Sequence, residues 1–276
     1  MTKLKVKIND AFWSKYDALI RDVVIPYQRD ALNDNVADAD PSGAIRNFRI
    51  AAGEEEGEFY GMVFQDSDVA KWLEAVAYSL ENHPDPELEK EADEVIDLIG
   101  RAQQPDGYLN TYYIINGLED RWTNLKECHE LYCAGHMIEA AVAYYEATGK
   151  DKLLKIVCKF ADHIDTVFGP EEDKLKGYPG HQEIELALVK LYRVTGNKKY
   201  LDLAKYFLDE RGKKPYYFDI EWEKRGKTEH WPGHRNMGPQ YDQSHVPVRE
   251  QTEAVGHSVR AVYMYSAMVD VAMETG

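Results

Sequence analysis

The pattern of apolar and polar positions along the chain predicts a helical protein. In most segments apolar residues recur every three or four positions, which is the spacing of one helix face. A short segment at residues 4–8 differs, because Leu4, Val6 and Ile8 alternate with lysines as in a strand. Pro26 is expected to kink or end the first helix. The predicted helices span 12–32, 66–80, 87–103, 126–147, 151–168, 181–194, 198–210 and 251–274, and the predicted loops 33–60, 108–124 and 211–250.

A repeated unit organises the second half of the chain. Gly135-His136, Gly180-His181 and Gly256-His257 each open an apolar run, and each run closes on Thr-Gly. Alternating helices of this kind are typical of an α/α toroid, in which the inner helices point the same ends at one mouth. The pattern gives fewer helices than the roughly twelve that a closed ring of six hairpins needs. We therefore expect an all-α, (α/α)6-barrel-like fold that is incomplete at the C-terminus.

Composition and net charge exclude some kinds of binding partner. The apolar share of 44% is ordinary for a globular protein, and the net charge of −16 argues against binding to nucleic acid or to an anionic membrane. No apolar stretch reaches the length of a transmembrane helix, and the N-terminus lacks the apolar core of a signal peptide. Three cysteines cannot form a complete disulfide framework, which favours a reducing, cytoplasmic setting.

The segment 128–136 concentrates chemically active side chains. His129, Cys133 and His136 fall on one helix face, and zinc takes Cys and His ligands. Buried cysteine is also common in packed helices, and a third ligand would have to come from elsewhere. Together these arguments favour packed side chains, and not a bound metal ion, in the segment 128–136.

The other candidates are imidazoles and carboxylates near the helix starts. The Gly-His histidines either converge on one pocket, where neutral imidazoles would bind ligand hydroxyls, or simply fill the first turn of each helix. A glycosidase needs an acid and a base or nucleophile that face the sugar. No pair stands out among the carboxylates expected at the mouth, which are Asp66, Asp68, Asp106, Glu130, Glu183, Glu250 and Glu253.

Five long motifs occur in order along the whole chain, and together they resemble a known family. The sequence is similar to the bacterial β-L-arabinofuranosidases of glycoside hydrolase family 127. The motifs are Phe64-x-Asp66-Ser67-Asp68-Val69-x-Lys71-Trp72-Leu73-Glu74-Ala75, Asp106-Gly107-Tyr108-Leu109-Asn110-Thr111-Tyr112-Tyr113, His129-Glu130-Leu131-Tyr132-Cys133-x-Gly135-His136, Gly177-Tyr178-Pro179-Gly180-His181-Gln182-Glu183-Ile184-Glu185 and Gln251-x-Glu253-Ala254-Val255-Gly256-His257-x-Val259-Arg260.

The resemblance implies an (α/α)6 barrel followed by β-sandwich material. Residues 1–10 would then supply a strand to that later β-domain, and residues 11–276 would form the N-terminal part of the catalytic barrel. His129, His181 and His257 match positions that contact sugar hydroxyls, and the motif residues Asp68 and Tyr108 are assigned to the same substrate site.

The resemblance also implies a retaining mechanism with a cysteine nucleophile, a zinc ion held by Cys and Glu, and a Glu acid/base. The motifs that carry these groups do not occur in the sequence, and Cys128, Cys133 and Cys158 do not match the nucleophile's motif. We therefore expect no catalytic residue and no bound zinc in this chain, although zinc is expected in the complete enzyme.

The function expected from the resemblance is hydrolysis of terminal β-L-arabinofuranosides or related sugars. Two alternatives stay open. The chain could be a non-catalytic sugar-binding or scaffold fragment of such an enzyme, or it could belong to another α/α-toroid glycosidase or epimerase that uses carboxylates or histidine. An unclosed ring would also leave apolar helix faces uncovered, and these predict self-association.

Overall fold

The structure is a computed structural model that describes residues 7–276, and in this range it is built from helices. Part of the predicted strand at 4–8 lies outside the described residues, and Lys7 and Ile8 belong to no strand. The helices are α1 (Trp13–Leu19), α2 (Ile25–Leu32), α3 (Ala44–Ala51), α4 (Asp66–Asn82), α5 (Pro86–Ala102), α6 (Thr111–Asn116), α7 (Glu130–Thr148), α8 (Lys152–Val167), α9 (Ile184–Thr195), α10 (Lys198–Glu210), α11 (Tyr217–Lys224) and α12 (Ser258–Thr275).

The first predicted helix contains an irregular turn just before Pro26 and does not end at that proline. A π-helical turn at Ile20–Val24 joins α1 to α2, and Pro26 lies in the first turn of α2. Proline has no N–H to donate and is tolerated in a first helical turn. The chain therefore changes its helical register before Pro26 and continues in the same direction.

Three short helices occupy segments that were predicted as loops. They are α3, α6 and α11, each only six to eight residues long. Tertiary contacts hold α3 in place. The side-chain amide of Asn47 donates to the Tyr60 carbonyl at 2.8 Å, and its oxygen accepts from the Tyr60 N–H at 3.1 Å. Helices this short are marginal on their own, so the local pattern could not reveal them.

The helices form two layers, as in an α/α barrel. Helices α4, α7, α9 and α12 pack side by side as the inner layer, while α5, α8 and α10 flank them outside. Helix α7 is the centre of the core and buries almost every residue from Glu130 to Tyr144. At Gly135 an added Cβ would lie 2.7 Å from Glu183 Cγ and 2.8 Å from the Ile184 nitrogen, so this glycine lets α7 approach the start of α9.

Two helical regions expose apolar side chains. In the first, α1 and its π-turn expose Phe12, Trp13, Tyr16, Leu19, Ile20 and Val23. In the second, α12 exposes Val259, Val262, Val269 and Met273. Among the described residues, no helix has the length and the continuous apolar character needed to cross a lipid bilayer.

We predict that these faces make the 276-residue protein self-associate and bind a hydrophobic dye. Contiguous apolar patches above about 600 Å² are rare on stable monomers. Val262 is 57% exposed, so V262E should reduce both dye fluorescence and the sedimentation coefficient without loss of helix content. The same change at buried Val271 should destabilise the fold instead. A monodisperse monomer that binds no dye would contradict this prediction.

Candidate functional site

Three histidines meet at the N-terminal ends of the inner helices. His129 is the N-cap residue of α7, His257 is the N-cap residue of α12, and His181 lies three residues before α9. The ring centroids of His129 and His181 are 5.8 Å apart, and those of His181 and His257 are also 5.8 Å apart. The structure thus brings together the three motif histidines, and we refer to them as the histidine triad.

Two tyrosines extend the triad into a small aromatic wall. The Tyr132 ring contacts His129 at 5.5 Å and His181 at 4.7 Å between centroids, and the Tyr263 ring lies 6.0 Å from His181. Both tyrosines are partly exposed, as are His129 and His257. The triad is therefore open on one side, which a ligand site requires.

Hydrogen bonds to the backbone fix the tautomer of each imidazole. Nδ1 of His129 lies 2.5 Å from the Glu127 carbonyl oxygen, and Nδ1 of His181 lies 2.8 Å from the Gln182 carbonyl oxygen. A carbonyl oxygen can only accept, so both Nδ1 atoms carry the proton and both Nε2 atoms are acceptors. His257 has the opposite tautomer, because its Nδ1 accepts a hydrogen bond from the Arg260 N–H at 3.5 Å. Its Nε2 therefore carries the proton and is the donor.

The triad is neutral at physiological pH. Burial lowers the pKa of His129 to about 4, against a weaker opposing effect of its hydrogen bond to Glu127. Burial, followed by the nearby Arg260 guanidinium, lowers the pKa of His181 to about 2. The same two causes, in the same order, lower the pKa of His257. The site therefore offers two imidazole acceptors and one imidazole donor, and none of them carries a charge.

A close backbone contact at Gly180 places His181. The Gly180 N–H donates to the Leu125 carbonyl at 3.0 Å, and an added Cβ would lie 2.2 Å from the Lys126 carbonyl oxygen. Two buried arginines hold the same segment. Arg260 donates to the Gly180 carbonyl at 3.0 Å, and Arg211 donates to the Pro179 carbonyl at 2.6 Å. A side chain at position 180 would push the segment away from the chain that leads to His129.

A glutamine pair connects the His181 segment to the His257 segment. The Gln182 side-chain amide donates to Gln243 Oε1 at 2.9 Å, and the Gln243 amide donates to the carbonyls of Val255 and His257 at 2.9 and 3.2 Å. Gln243 adopts a left-handed backbone conformation, with φ of 55°. Such a conformation is unusual outside glycine and is often found where a functional geometry is imposed.

The other two predicted substrate residues have different environments. Asp68 lies in the first turn of α4, at the same mouth, and is partly exposed beside Lys71, whose ammonium lies over the Tyr132 ring. Tyr108 is fully buried, and its hydroxyl donates to Glu130 at 2.5 Å. The structure therefore places Asp68 next to the triad but places Tyr108 in the core, away from any open surface.

The carboxylates expected at the mouth do not form a facing pair. Asp66 is buried and accepts hydrogen bonds from Thr111, so it links α4 to α6 and does not cap α4 by its side chain. Glu130 accepts from Tyr108 and from the Trp122 N–H, and burial raises its pKa to about 8. Asp106 pairs with Arg121 at 2.7 Å. Each of these groups has a structural partner.

The three cysteines have surroundings that favour the neutral thiol. All three are free, and Cys128 and Cys133 are buried. Burial raises the pKa of Cys128 to about 12 and that of Cys133 well above its ordinary value. These surroundings favour the neutral thiol of Cys128 and Cys133, whereas an activated nucleophile is a thiolate.

Several site residues were not singled out from the sequence. Tyr132 and Arg260 each follow a triad histidine by three positions, so helical spacing could have suggested them. Gln243 could not have been found in this way, because it reaches the triad from the long segment 211–250. That segment also lines a separate cavity of about 1010 Å³, whose walls include Tyr112, Trp122, Tyr217, Glu221 and His230 but no residue of the triad.

Comparison with known proteins identifies the family. A family model described as the beta-L-arabinofuranosidase, GH127 catalytic domain matches residues 5–276. The chain belongs to this family. It is 44% identical to a non-reducing end beta-L-arabinofuranosidase of Bifidobacterium longum subsp. longum, over 97% of this chain and 43% of that protein.

Solved GH127 structures share the fold. The crystal structure of Ara127N-Se, a GH127 beta-L-arabinofuranosidase from Geobacillus stearothermophilus T6, has 64% identity and a TM-score of 0.96, and the match covers 99% of this chain and 43% of that one. The GH127 beta-arabinofuranosidase BT3674 has 41% identity and a TM-score of 0.83, over 98% and 40% of the two chains. This GH127 chain thus spans less than half the length of these relatives.

We predict that NMR of the imidazole nitrogens will show the Nδ1–H tautomer at His129 and His181 and the Nε2–H tautomer at His257. His129 should stay neutral until the pH falls towards 4. Its folded pKa lies below the ordinary 6.5, so its stabilising effect is complete above pH 6.5 and is lost as the pH falls through about 4. Titration of His129 near pH 6.5 would contradict this assignment.

Proposed function

We propose that this GH127 chain forms the sugar-binding part of a retaining glycoside hydrolase that acts on terminal β-L-arabinofuranosides. The observation that carries the proposal is the histidine triad, with its fixed and complementary tautomers. Membership of the family supports it, and so do the names of the relatives. Three free cysteines further support a reducing, cytoplasmic setting.

The triad suits a ligand rich in hydroxyl groups. Each sugar hydroxyl can donate one hydrogen bond and accept others. Nε2 of His129 and of His181 would accept from two hydroxyls, while Nε2–H of His257 would donate to a third oxygen. Neutral imidazoles at this position avoid burying an unpaired charge against a neutral sugar. The exposed parts of the Tyr132 and Tyr263 rings offer apolar surface to the sugar's C–H groups.

The chemical step is assigned to groups outside this sequence. Family resemblance implies a zinc-supported cysteine nucleophile and a glutamate acid/base, and the described cysteines and carboxylates do not provide them. This chain's own part is to bind and orient the terminal sugar. Asp68, next to Lys71 and Tyr132 at the mouth, is proposed as a further contact for a sugar hydroxyl.

We predict that H181N weakens binding of nitrophenyl β-L-arabinofuranoside by about tenfold or more, because a lost hydrogen bond that leaves a buried partner unpaired costs about 1–3 kcal/mol. Ligand-observed NMR with the 276-residue protein gives the affinity. The matched control is H83N, because His83 lies just past the opposite end of α4 and pairs with Asp17. Equal affinities of the two variants would argue against a role of the triad in sugar binding.

We also predict that the 276-residue protein does not hydrolyse this arabinofuranoside, with or without added zinc. Loss of a nucleophile and its acid/base typically removes several orders of magnitude of rate. The assay is release of nitrophenol by purified protein at high concentration. Zinc-dependent turnover would mean that the catalytic groups have been misplaced, and chelator-insensitive turnover would favour a carboxylate or histidine mechanism.

A further inference from the structure

A second group of titratable side chains lies beside the histidine triad and deeper in the protein. It consists of His136 and Glu139 on α7 and of Glu183, the N-cap residue of α9. His136 Nδ1 lies 3.5 Å from Glu183 Oε1 and 3.9 Å from Glu139 Oε2. The three residues are 4%, 8% and 0% exposed. We refer to them as the lower triad.

The lower triad has unused polar atoms. Neither ring nitrogen of His136 has a hydrogen-bond partner within the described residues, and the carboxyl group of Glu183 has none apart from its contact with the Glu139 carboxyl group. Buried polar groups are almost always paired, because an unpaired one costs about 1–3 kcal/mol. Two unpaired nitrogens on one buried imidazole, beside two buried carboxyl groups, therefore point to a missing partner.

The two oxygens of Glu139 have different neighbours. Oε1 forms an ion pair with Lys190 from α9, while Oε2 faces His136. The ion pair therefore leaves Oε2 available to another cation. Since the donor atoms of the lower triad all lie within 4.8 Å of one another, one ion can reach all three.

The charge around the lower triad is balanced only if one carboxyl group is neutral. Glu74 and Lys71 from α4 and Lys190 from α9 face the group, so three carboxyls meet two ammonium groups, and Tyr263 from α12 adds no charge. Burial and the Glu139 carboxylate raise the pKa of Glu183 well above its ordinary value. Burial, with Lys71 nearby, lowers the pKa of His136 to about 3.

We propose that the lower triad is a binding site for a divalent transition-metal ion. His136 Nδ1, Glu139 Oε2 and one oxygen of Glu183 would bind the ion, and the carboxyl proton of Glu183 would leave to solvent. One nitrogen and two carboxylate oxygens form a ligand set that zinc accepts, with a position left for water. This site contains no thiolate, so it differs in chemistry from a zinc held by cysteine.

The proposed ion would connect the two triads. The Tyr132 ring contacts His136 at 4.5 Å and His181 at 4.7 Å between centroids. Glu183 follows His181 by two residues. An ion that joins α7 to the start of α9 would therefore fix the backbone that positions His181.

The test uses zinc and the 276-residue protein. Equilibrium dialysis followed by metal analysis should give one zinc per chain. H136Q and E183Q should each lose the bound zinc. C133A is the matched control and should keep it, because Cys133 lies on α7 one turn before His136. Zinc should also raise the melting temperature of the wild type but not that of E183Q.

Cobalt substitution identifies the ligands without depending on a variant that folds. Bound Co²⁺ should show d–d bands in the visible range and no thiolate charge-transfer band in the near ultraviolet. The proposal is overturned if the wild type holds no stoichiometric zinc, if both glutamine variants keep their zinc, or if a thiolate band appears. Circular dichroism of each variant checks that its helix content is intact.

Discussion

The site depends on one backbone contact that leaves no room for a side chain. Gly180 donates to the Leu125 carbonyl, and its Cα faces the Lys126 carbonyl so closely that a Cβ would overlap it. This contact brings the segment before α9 against the segment before α7. His129 and His181 come within ring contact as a result. Gly180 is therefore required for this packing, and the packing in turn positions His181.

Burial keeps the imidazoles of the histidine triad neutral. A buried arginine near His181 and His257 could be expected to bind an anion, but its guanidinium is already used. Arg260 donates to Gly180 and lies over the Tyr241 ring, 4.5 Å from the centroid. Its charge acts on the triad mainly by keeping the imidazoles neutral. Neutral donors and acceptors suit an uncharged ligand, and this agrees with the names of the GH127 relatives.

The inner helices are largely apolar but carry a few charged side chains, and the packing against the outer helices is apolar. Lys71, Glu74, Glu139 and Lys190 project from the inner helices, while the faces against α5, α8 and α10 are filled by aliphatic and aromatic side chains. Charges in such a place must be paired or neutralised, because desolvation of an isolated ion is very costly. This requirement explains why burial and the Glu139 carboxylate raise the pKa of Glu183 well above its ordinary value.

The sequence alone determined the long helices and the family. The long helices bury a continuous face, so their apolar residues recur every three to four positions. This spacing located most helix ends to within a few residues. The differences were larger at the starts of α7, α9 and α12. The Gly-His repeat left open whether its histidines converge: His181 and His257 do, whereas His136 lies in the lower triad. The third member of the histidine triad, His129, was indicated by the family resemblance. The helix positions depend on the spacing of apolar residues, which can be read directly from the sequence.

Tertiary structure decided the rest. The short helices α3, α6 and α11 form through contacts with distant segments, so their own sequences do not specify them. Tyr108 and Glu130 share motifs with site residues, yet both are buried, because orientation around a helix or turn is set by packing. The lower triad combines residues of α7 with one that precedes α9. Its spacing of a few ångströms exists only because Gly135 allows those two elements to approach.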